Sequence, residues 1–339
     1  MTISKNKITK KQLIFLIIQA QIGVGILSLP HDVALVAKQD GWMGTIIAGG
    51  ISQAIIFAFW GLSTRFPTLS LYEILPKILG KIVGKLLILS YALYFMITGS
   101  LVLARFSDIL DKWILPRTPN WITMVLILIT CIYIVSAGLT SIARFYMLVS
   151  PILFVLVVLI GYAMKDANFL YILPVGNHSI FTILKASKEA AFSMLGFELF
   201  LFIHSHVQAT GKEKLIAITT ANIFVTFYYT FLVFAALVYF EPNIDIGLTP
   251  EPLLYMIKAY SFQVLERTDL FFRKKNHKRF LPFVAVAYLI LAVIPDQGRD
   301  FENFNHILGP THYIFIGIIP TFLLILSWML SKKEVVNKL

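Results

Sequence analysis

The hydrophobic positions of this chain gather into long runs separated by short polar stretches. Nine runs stand out, at 13–29, 42–62, 86–104, 121–137, 145–164, 190–204, 216–240, 280–294 and 313–330. A helix needs ~20 apolar residues to cross a bilayer, so nine or ten spans consume roughly 180–200 residues and leave short loops. Pro30, Pro76, Pro116, Pro119, Pro174, Pro242, Pro250 and Pro295 fall at or near the edges of the runs, where proline ends helices cheaply. Trp42, Trp113 and Trp121 also lie at edges, as an interfacial aromatic belt places them. The pattern predicts an all-α, polytopic integral membrane protein with a single transmembrane domain over 1–339.

Composition agrees with the pattern. Of 339 residues, 58% are hydrophobic and 14% charged, with mean hydropathy +0.80. Soluble domains carry about 25% charged residues, and a soluble fold of this size needs that charge to coat its core. Disorder is excluded by the same figures, and a disulfide scaffold by the single cysteine. Cys131 sits mid-run without a partner and reads as a small core residue.

Charge then gives an orientation. The net charge of +11 fits Lys and Arg gathered in cytoplasmic loops rather than nucleic acid, because no basic stretch carries interleaved aromatics or a nucleic-acid motif. Lys5, Lys7, Lys10 and Lys11 precede the first run with no acid among them, and Gln19 and Gln21 interrupt it. It therefore reads as an uncleaved helix with its N-terminus inside, not a signal peptide. Arg65, Lys77, Lys81 and Lys85, then Arg144, then Lys212 and Lys214 fall inside in turn, while Glu241, Asp245 and Glu251 fall outside. The C-terminal Lys332 and Lys333 are placed inside as well.

The alternation fails once. The most basic run, Arg273 to Arg279, belongs inside, which demands a crossing between Glu251 and Arg273. The available 252–272 contains Lys258, Glu266, Arg267 and Asp269, each costing ~2.5–3.5 kcal/mol at membrane depth. Either a strained amphipathic crossing exists there or a helix is missing.

Two runs carry interruptions. In the first, Gly23 and Gly25 stand one residue apart, each weakening a helix by roughly 1 kcal/mol relative to alanine. An unwound stretch facing a cavity would leave a half-helix N-terminus whose N–H groups bind a carboxylate. Close packing of two helices against the glycines is the other reading. The sixth run contains Ser193-Met194-Leu195-Gly196-Phe197-Glu198, with Glu198 the only carboxylate well inside an apolar run. A proton site, an ammonium partner, a helix-bend anchor and a protonated group bonded to a neighbouring helix all fit it. Two interrupted helices five apart match the discontinuous pair of inverted-repeat transporters, whose ligand lies at the midplane.

At these residues the chain resembles the spore germination proteins of GerAB type, the B subunits of nutrient germinant receptors within the amino acid–polyamine–organocation transporter superfamily. The shared features begin with Gln21-Ile22-Gly23-Val24-Gly25-Ile26-Leu27, Ala37-Lys38-Gln39-Asp40-Gly41-Trp42 and Arg65-Phe66-Pro67. They continue through Leu115-Pro116-Arg117-Thr118-Pro119, Gly138 with Ala143-Arg144, Gly196-Phe197-Glu198 and Leu265-Glu266-Arg267-Thr268-Asp269. The resemblance implies a ten-helix, leucine-transporter-like inverted-repeat bundle with discontinuous helices 1 and 6, in the spore inner membrane. It implies an amino-acid-like ligand whose carboxylate meets Gly23, Val24, Gly25 and Ile26 and whose amino end meets Gly196, Phe197 and Glu198. Tyr91 and Tyr94 are added as wall residues from their depth in the third run. It further implies partnership with A-type and C-type (lipoprotein) receptor subunits. The chain departs from the family where the alternation failed: Asp269 is followed within four residues by Arg273, so most of the eighth helix, about 25 residues by the length of a span, is absent.

The remaining chemistry is thin. His204-Ser205-His206 has a spacing that puts the rings on different helical faces, and His31-Asp32 and His306 are placed in loops without a nucleophile motif or phosphate-binding glycine loop. Neither enzyme, metal nor cofactor is expected. Three functions follow: a receptor subunit that recognises a nutrient, a permease coupled to protons through Glu198, and an inactive remnant of an internal deletion.

Overall fold

The computed structural model describes residues 7–241, 245–259 and 311–329. The Leu265–Asp269 motif, the basic run to Arg279, the apolar run at 280–294, His306 and Lys332-Lys333 lie outside the described residues. So does the question of a crossing at 252–272, which is followed only as far as Ala259.

The first run forms two helices. Thr9 closes a reciprocal cap with Gln12 and starts α1 (Lys10–Gln21). The chain then leaves helical geometry at Ile22 and Gly23, makes a short 3₁₀ turn at Val24–Ile26, and resumes as α2 (Leu29–Ala37). Pro30 sits in the first turn of α2, where its missing N–H has no partner to lose. His31 and Asp32 therefore lie in a helix, not a loop, because the apolar pattern continues past Pro30 to Ala37. The helices that follow are α3 (Gly41–Arg65), α4 (Leu71–Leu79), α5 (Lys81–Trp113), α6 (Asn120–Ser136), α7 (Leu139–Val149) and α8 (Pro151–Ala163).

The sixth run is also split. Ser179 caps α9 (Ile180–Ser193) by accepting from the Thr182 N–H, well before the apolar run at 190. Lys185, Lys188 and Glu189 hide this first half from a hydropathy reading. After a turn over Met194–Glu198 the helix resumes as the five-residue α10 (Leu199–Ile203). Then come α11 (Gly211–Tyr239), opened by a Thr210–Glu213 capping box, and α12 (Pro252–Ala259). A π-helical turn at Tyr313–Ile318 leads into α13 (Ile319–Met329).

Four stretches among the described residues are long and apolar enough to cross a membrane: Leu29–Arg65, Lys81–Trp113, Leu139–Asp166 and Gly211–Tyr239. Their outer faces carry bare aliphatic and aromatic side chains, among them Leu148, Phe154, Val158 and Phe227, the surface a lipid-embedded bundle presents. Cys131 on α6 belongs to that surface. It is exposed, so it is not a core residue; an outward position in lipid is as apolar as an inward one, and hydropathy does not separate the two.

The core is built from α1, α2, α3, α9 and α11, which pack on one another. Lipid tails are as apolar as leucine, so helices in a bilayer associate through close contact and interhelical hydrogen bonds rather than burial from water. Both devices are present. A Cβ on Gly49 would fall 2.2 Å from the Thr226 hydroxyl oxygen, and one on Gly44 would fall 2.9 Å from Ala186 Cβ. Beside that contact Asn222 donates to Gly49 O (3.1 Å) and to Gln53 Oε1 (3.1 Å), and Gln53 donates to Thr219 Oγ1 (3.0 Å). These bonds lock α3 to α11, and the interrupted helices pack alongside, α9 on α3 and α1 on α11.

Candidate functional site

The two interruptions face each other. Gln21, at the last turn of α1, donates from Nε2 to Met194 O at the end of α9 (3.1 Å). Ser193 Oγ donates to Gly25 O at 3.4 Å. Tyr229 of α11, fully buried, aims its hydroxyl at two carbonyls freed by the breaks, Gln21 O (2.8 Å) and Ser193 O (3.2 Å). Unwinding a helix inside a bilayer orphans carbonyls that would cost several kcal/mol each. Tyr229 and Gln21 are the side chains that answer that cost on either side of the gap.

The glycines take different parts. Gly196 has φ +127, a region that residues with a Cβ rarely adopt. A Cβ there would lie 2.2 Å from Ala20 O and 2.4 Å from Ala20 C. Its α-carbon therefore presses directly on the backbone of α1. A Cβ on Gly25 would meet Ser193 Oγ at 3.0 Å, whereas one on Gly23 would meet nothing within 4 Å. Gly25 and Gly196 are thus packing glycines, while Gly23 is exposed and opens the backbone to unfilled space.

Glu198 is tied locally. Its Oε2 accepts the Gly196 N–H at 2.7 Å, which closes the turn between α9 and α10. Of the roles open to it from sequence, helix-bend anchor is the one this contact displays. Phe197 is buried and packs its ring on Phe59 of α3 (5.7 Å). Ile26 is buried and Val24 half-buried.

Tyr91 and Tyr94 sit on α5 beside the second break. Tyr91 donates to Phe315 O (2.7 Å), and the Tyr94 hydroxyl meets His312 Nδ1 (2.6 Å). Their rings join Phe95, Phe202 of α10 and Phe315 in one aromatic cluster. Glu198 lies within electrostatic range of both hydroxyls. His312 is buried and edge-on to Phe192, and its Nε2 has no hydrogen-bond partner among the described residues. The cluster ties α5 to α10 and to the π-helical turn, a geometry frequent at functional sites.

Outside this centre, Asp40 organises the approach to α9. Its fully buried carboxylate accepts from Gly176 N (2.7 Å) and His178 N (3.0 Å) and pairs with His178 Nδ1 (2.9 Å). Gln39 donates to Pro174 O (3.3 Å). The Gln39-Asp40 pair thus clips the loop before α9 to the turn between α2 and α3. His204 is buried, and neither ring nitrogen has a partner among the described residues. Among the described residues, no group of three His, Cys, Asp or Glu side chains is placed to hold a metal.

Three of these residues escaped the sequence reading. Tyr229 reaches its partner across 208 positions, and no local pattern announces such a contact. Ser193 stands in the interrupted stretch of the sixth run, but its bond to Gly25 O spans 168 positions. His312 stands one position outside the apolar run at 313–330, where an ionisable residue inside the span would have drawn notice.

The profile of the family described as "Spore germination protein" matches residues 7–327. This chain belongs to that family. Its relatives include spore germination protein GerQB of Bacillus cereus, 25% identical over 331 residues, covering 96% of this chain and 87% of the relative. Spore germination protein B2 of Bacillus subtilis is 23% identical over 361 residues, covering 97% of each chain. That second alignment is longer than the 339 residues available. It therefore includes at least 22 positions at which this family member has no residue.

Proposed function

We propose that this family member is the membrane subunit of a nutrient germinant receptor, recognising an amino acid at the gap between α1–α2 and α9–α10. The observation that carries the reading is the paired break: each half closes the other by side chain and backbone, yet Gly23 is left unpacked. The backbone from Gly23 to Ile26 would receive the ligand carboxylate at the positive end of α2, with the Gly23 and Ile26 N–H groups exchanging their bonds to Gln21 O and Gly23 O for it. Gly196 to Glu198 would face its amino end, with Tyr91 and Tyr94 as wall. For a cationic amino group to bind, Glu198 would exchange its bond to Gly196 for one to the ligand, and that exchange is a local trigger for moving α10. Helix shifts would pass to A-type and C-type partner subunits. In this reading the arrangement is a leucine-transporter-like repeat in the spore inner membrane, with both termini cytoplasmic.

A second reading, a remnant that has lost most of its eighth helix and no longer responds, rests on the short spacing from Asp269 to Arg273; an alignment longer than this chain is compatible with such a loss. The two separate by deleting the gene from a spore former and scoring germination on each amino acid. Loss of one nutrient response without loss of uptake supports the receptor. Accumulation of labelled amino acid in vesicles, abolished by Glu198→Gln, would instead mark a proton-coupled permease. Unchanged germination on every nutrient leaves the remnant.

A further inference from the structure

A cleft of about 250 Å³ opens at the start of α1 and is lined by Lys7, Thr9, Lys11, Gln12, Thr140 and Arg144. Lys7, Lys11 and Arg144 are exposed, no carboxylate lines the cleft, and none of the three cations has an ion pair among the described residues. Three like charges on one wall repel one another and favour an anion between them. Polar donors stand ready beside them. The capping box occupies Thr9 and Gln12 only as acceptors, through Thr9 Oγ1 and Gln12 Oε1, leaving the hydroxyl proton and the side-chain amide to donate elsewhere. Thr140 Oγ1 is buried without a partner among the described residues. Thr140 also lies in the first turn of the eleven-residue α7, whose N-terminus at Gly138 has no side-chain cap, so the positive end of that helix points the same way.

The place matters as much as the charge. Lys11 and Arg144 stand just before two apolar runs begin, at 13 and at 145. Phe145, Met147 and Leu148 on the same helix as Arg144 are exposed apolar side chains, so the cleft borders the lipid face. A soluble anion has no use for such a rim. We propose that this cleft holds the phosphodiester headgroup of an anionic membrane lipid, with its acyl chains running along the exposed face of α7. Basic pockets between spanning helices at a membrane surface suit that chemistry. It also gives the Gly138/Ala143-Arg144 motif a role: buried Ala143 fits α7 against the bundle while Arg144 turns to the headgroup. The neighbouring Ile8–Thr9 pairs with Val207–Gln208 at the far end of α10, so an occupied cleft would brace the end of the second broken helix.

The test uses the purified full chain in zwitterionic detergent, titrated with dihexanoyl phosphatidylglycerol and followed by thermal unfolding. Dihexanoyl phosphatidylcholine and inorganic phosphate serve as the other arms. Phosphatidylglycerol should raise the unfolding midpoint. The triple variant K7Q/K11Q/R144Q should need on the order of a hundredfold more lipid, at about fivefold per cation near a membrane surface. The variant K77Q/K81Q/K85Q, which removes equal charge elsewhere, should respond as the parent does. Equal responses from the parent and K7Q/K11Q/R144Q would overturn the proposal, as would equal loss in both triple variants. Full reproduction of the shift by phosphatidylcholine or by inorganic phosphate would overturn it too. If K7Q/K11Q/R144Q does not fold, R144Q alone should weaken the response about fivefold, and an unchanged response again refutes the assignment.

Discussion

Gly196→Ala is the sharpest perturbation of the paired break. The substitution forces a Cβ onto a backbone at φ +127, a conformation that costs about 1–3 kcal/mol for any residue other than glycine. The added methyl would also sit 2.2 Å from Ala20 O and 2.4 Å from Ala20 C. Backbone atoms of a packed helix cannot step aside as a flexible side chain can, and overpacking of this kind typically adds about 1–3 kcal/mol. The two together predict a loss of about 2–6 kcal/mol. Relief requires α9 and α1 to separate, which would stretch the Gln21–Met194 and Ser193–Gly25 bonds. Gly23→Ala is the matched control, because its backbone is extended at φ −110, which a residue with a Cβ adopts freely, and its Cβ meets nothing within 4 Å. Thermal unfolding of both variants in detergent decides the matter: Gly196→Ala should melt at least several degrees below the parent and Gly23→Ala within a degree or two of it. A Gly196→Ala protein that melts with the parent would refute the close approach of the two breaks.

The other expectations follow from single contacts. Tyr229→Phe takes the hydroxyl donor from Ser193 O and leaves Gln21 O with only the Gly23 N–H at 3.1 Å; it should cost about 1–3 kcal/mol, read as a lower unfolding midpoint, and an unchanged midpoint would show that the hydroxyl does not hold the two breaks together. Glu198→Gln keeps an acceptor for the Gly196 N–H, so it should unfold near the parent temperature, whereas Glu198→Ala should fall below it. Asp40→Ala removes the acceptor for Gly176 N and His178 N and should make the loop before α9 exchange its amide protons faster, while α11 stays protected. Glu73 anchors the first turn of α4, and hydrogen bonds from the Ser70 N–H and hydroxyl hold its carboxyl below the ordinary range. A carboxyl depressed on folding contributes stability above its unfolded pKa and loses it as pH falls through the folded one. Protection of the α4 amides should therefore drop only in acid below the usual carboxylate range, and Glu73→Gln should flatten that dependence.

Much of the fold is written in local pattern, and the rest is not for identifiable reasons. The breaks at Gly23–Gly25 and Gly196 were legible because glycine pairs and an intramembrane glutamate violate the rules of a continuous span. Helix α9 was half hidden because Lys185, Lys188 and Glu189 interrupt its hydropathy, although the Ser179 cap marks its true start. Asp32 was misplaced into a loop because Pro30 reads as a stop when it follows a span and as a start when it opens one. Tyr229, Ser193 and His312 matter through partners far away in sequence, and only the packed bundle brings those together. The same limit applied to Cys131, whose run says apolar and does not say which way it points.

The central claim is that an amino-acid germinant occupies the gap between the broken helices. Val24→Cys, made in a Cys131→Ser background so that no other thiol reacts, places a half-buried reporter at that gap. Its rate of modification by a small methanethiosulfonate reagent should be measured in spore membranes with and without an amino acid whose germination response is lost when this gene is deleted. The account predicts marked slowing by that amino acid and none by a non-germinant isomer. Identical rates with and without the triggering amino acid would contradict it.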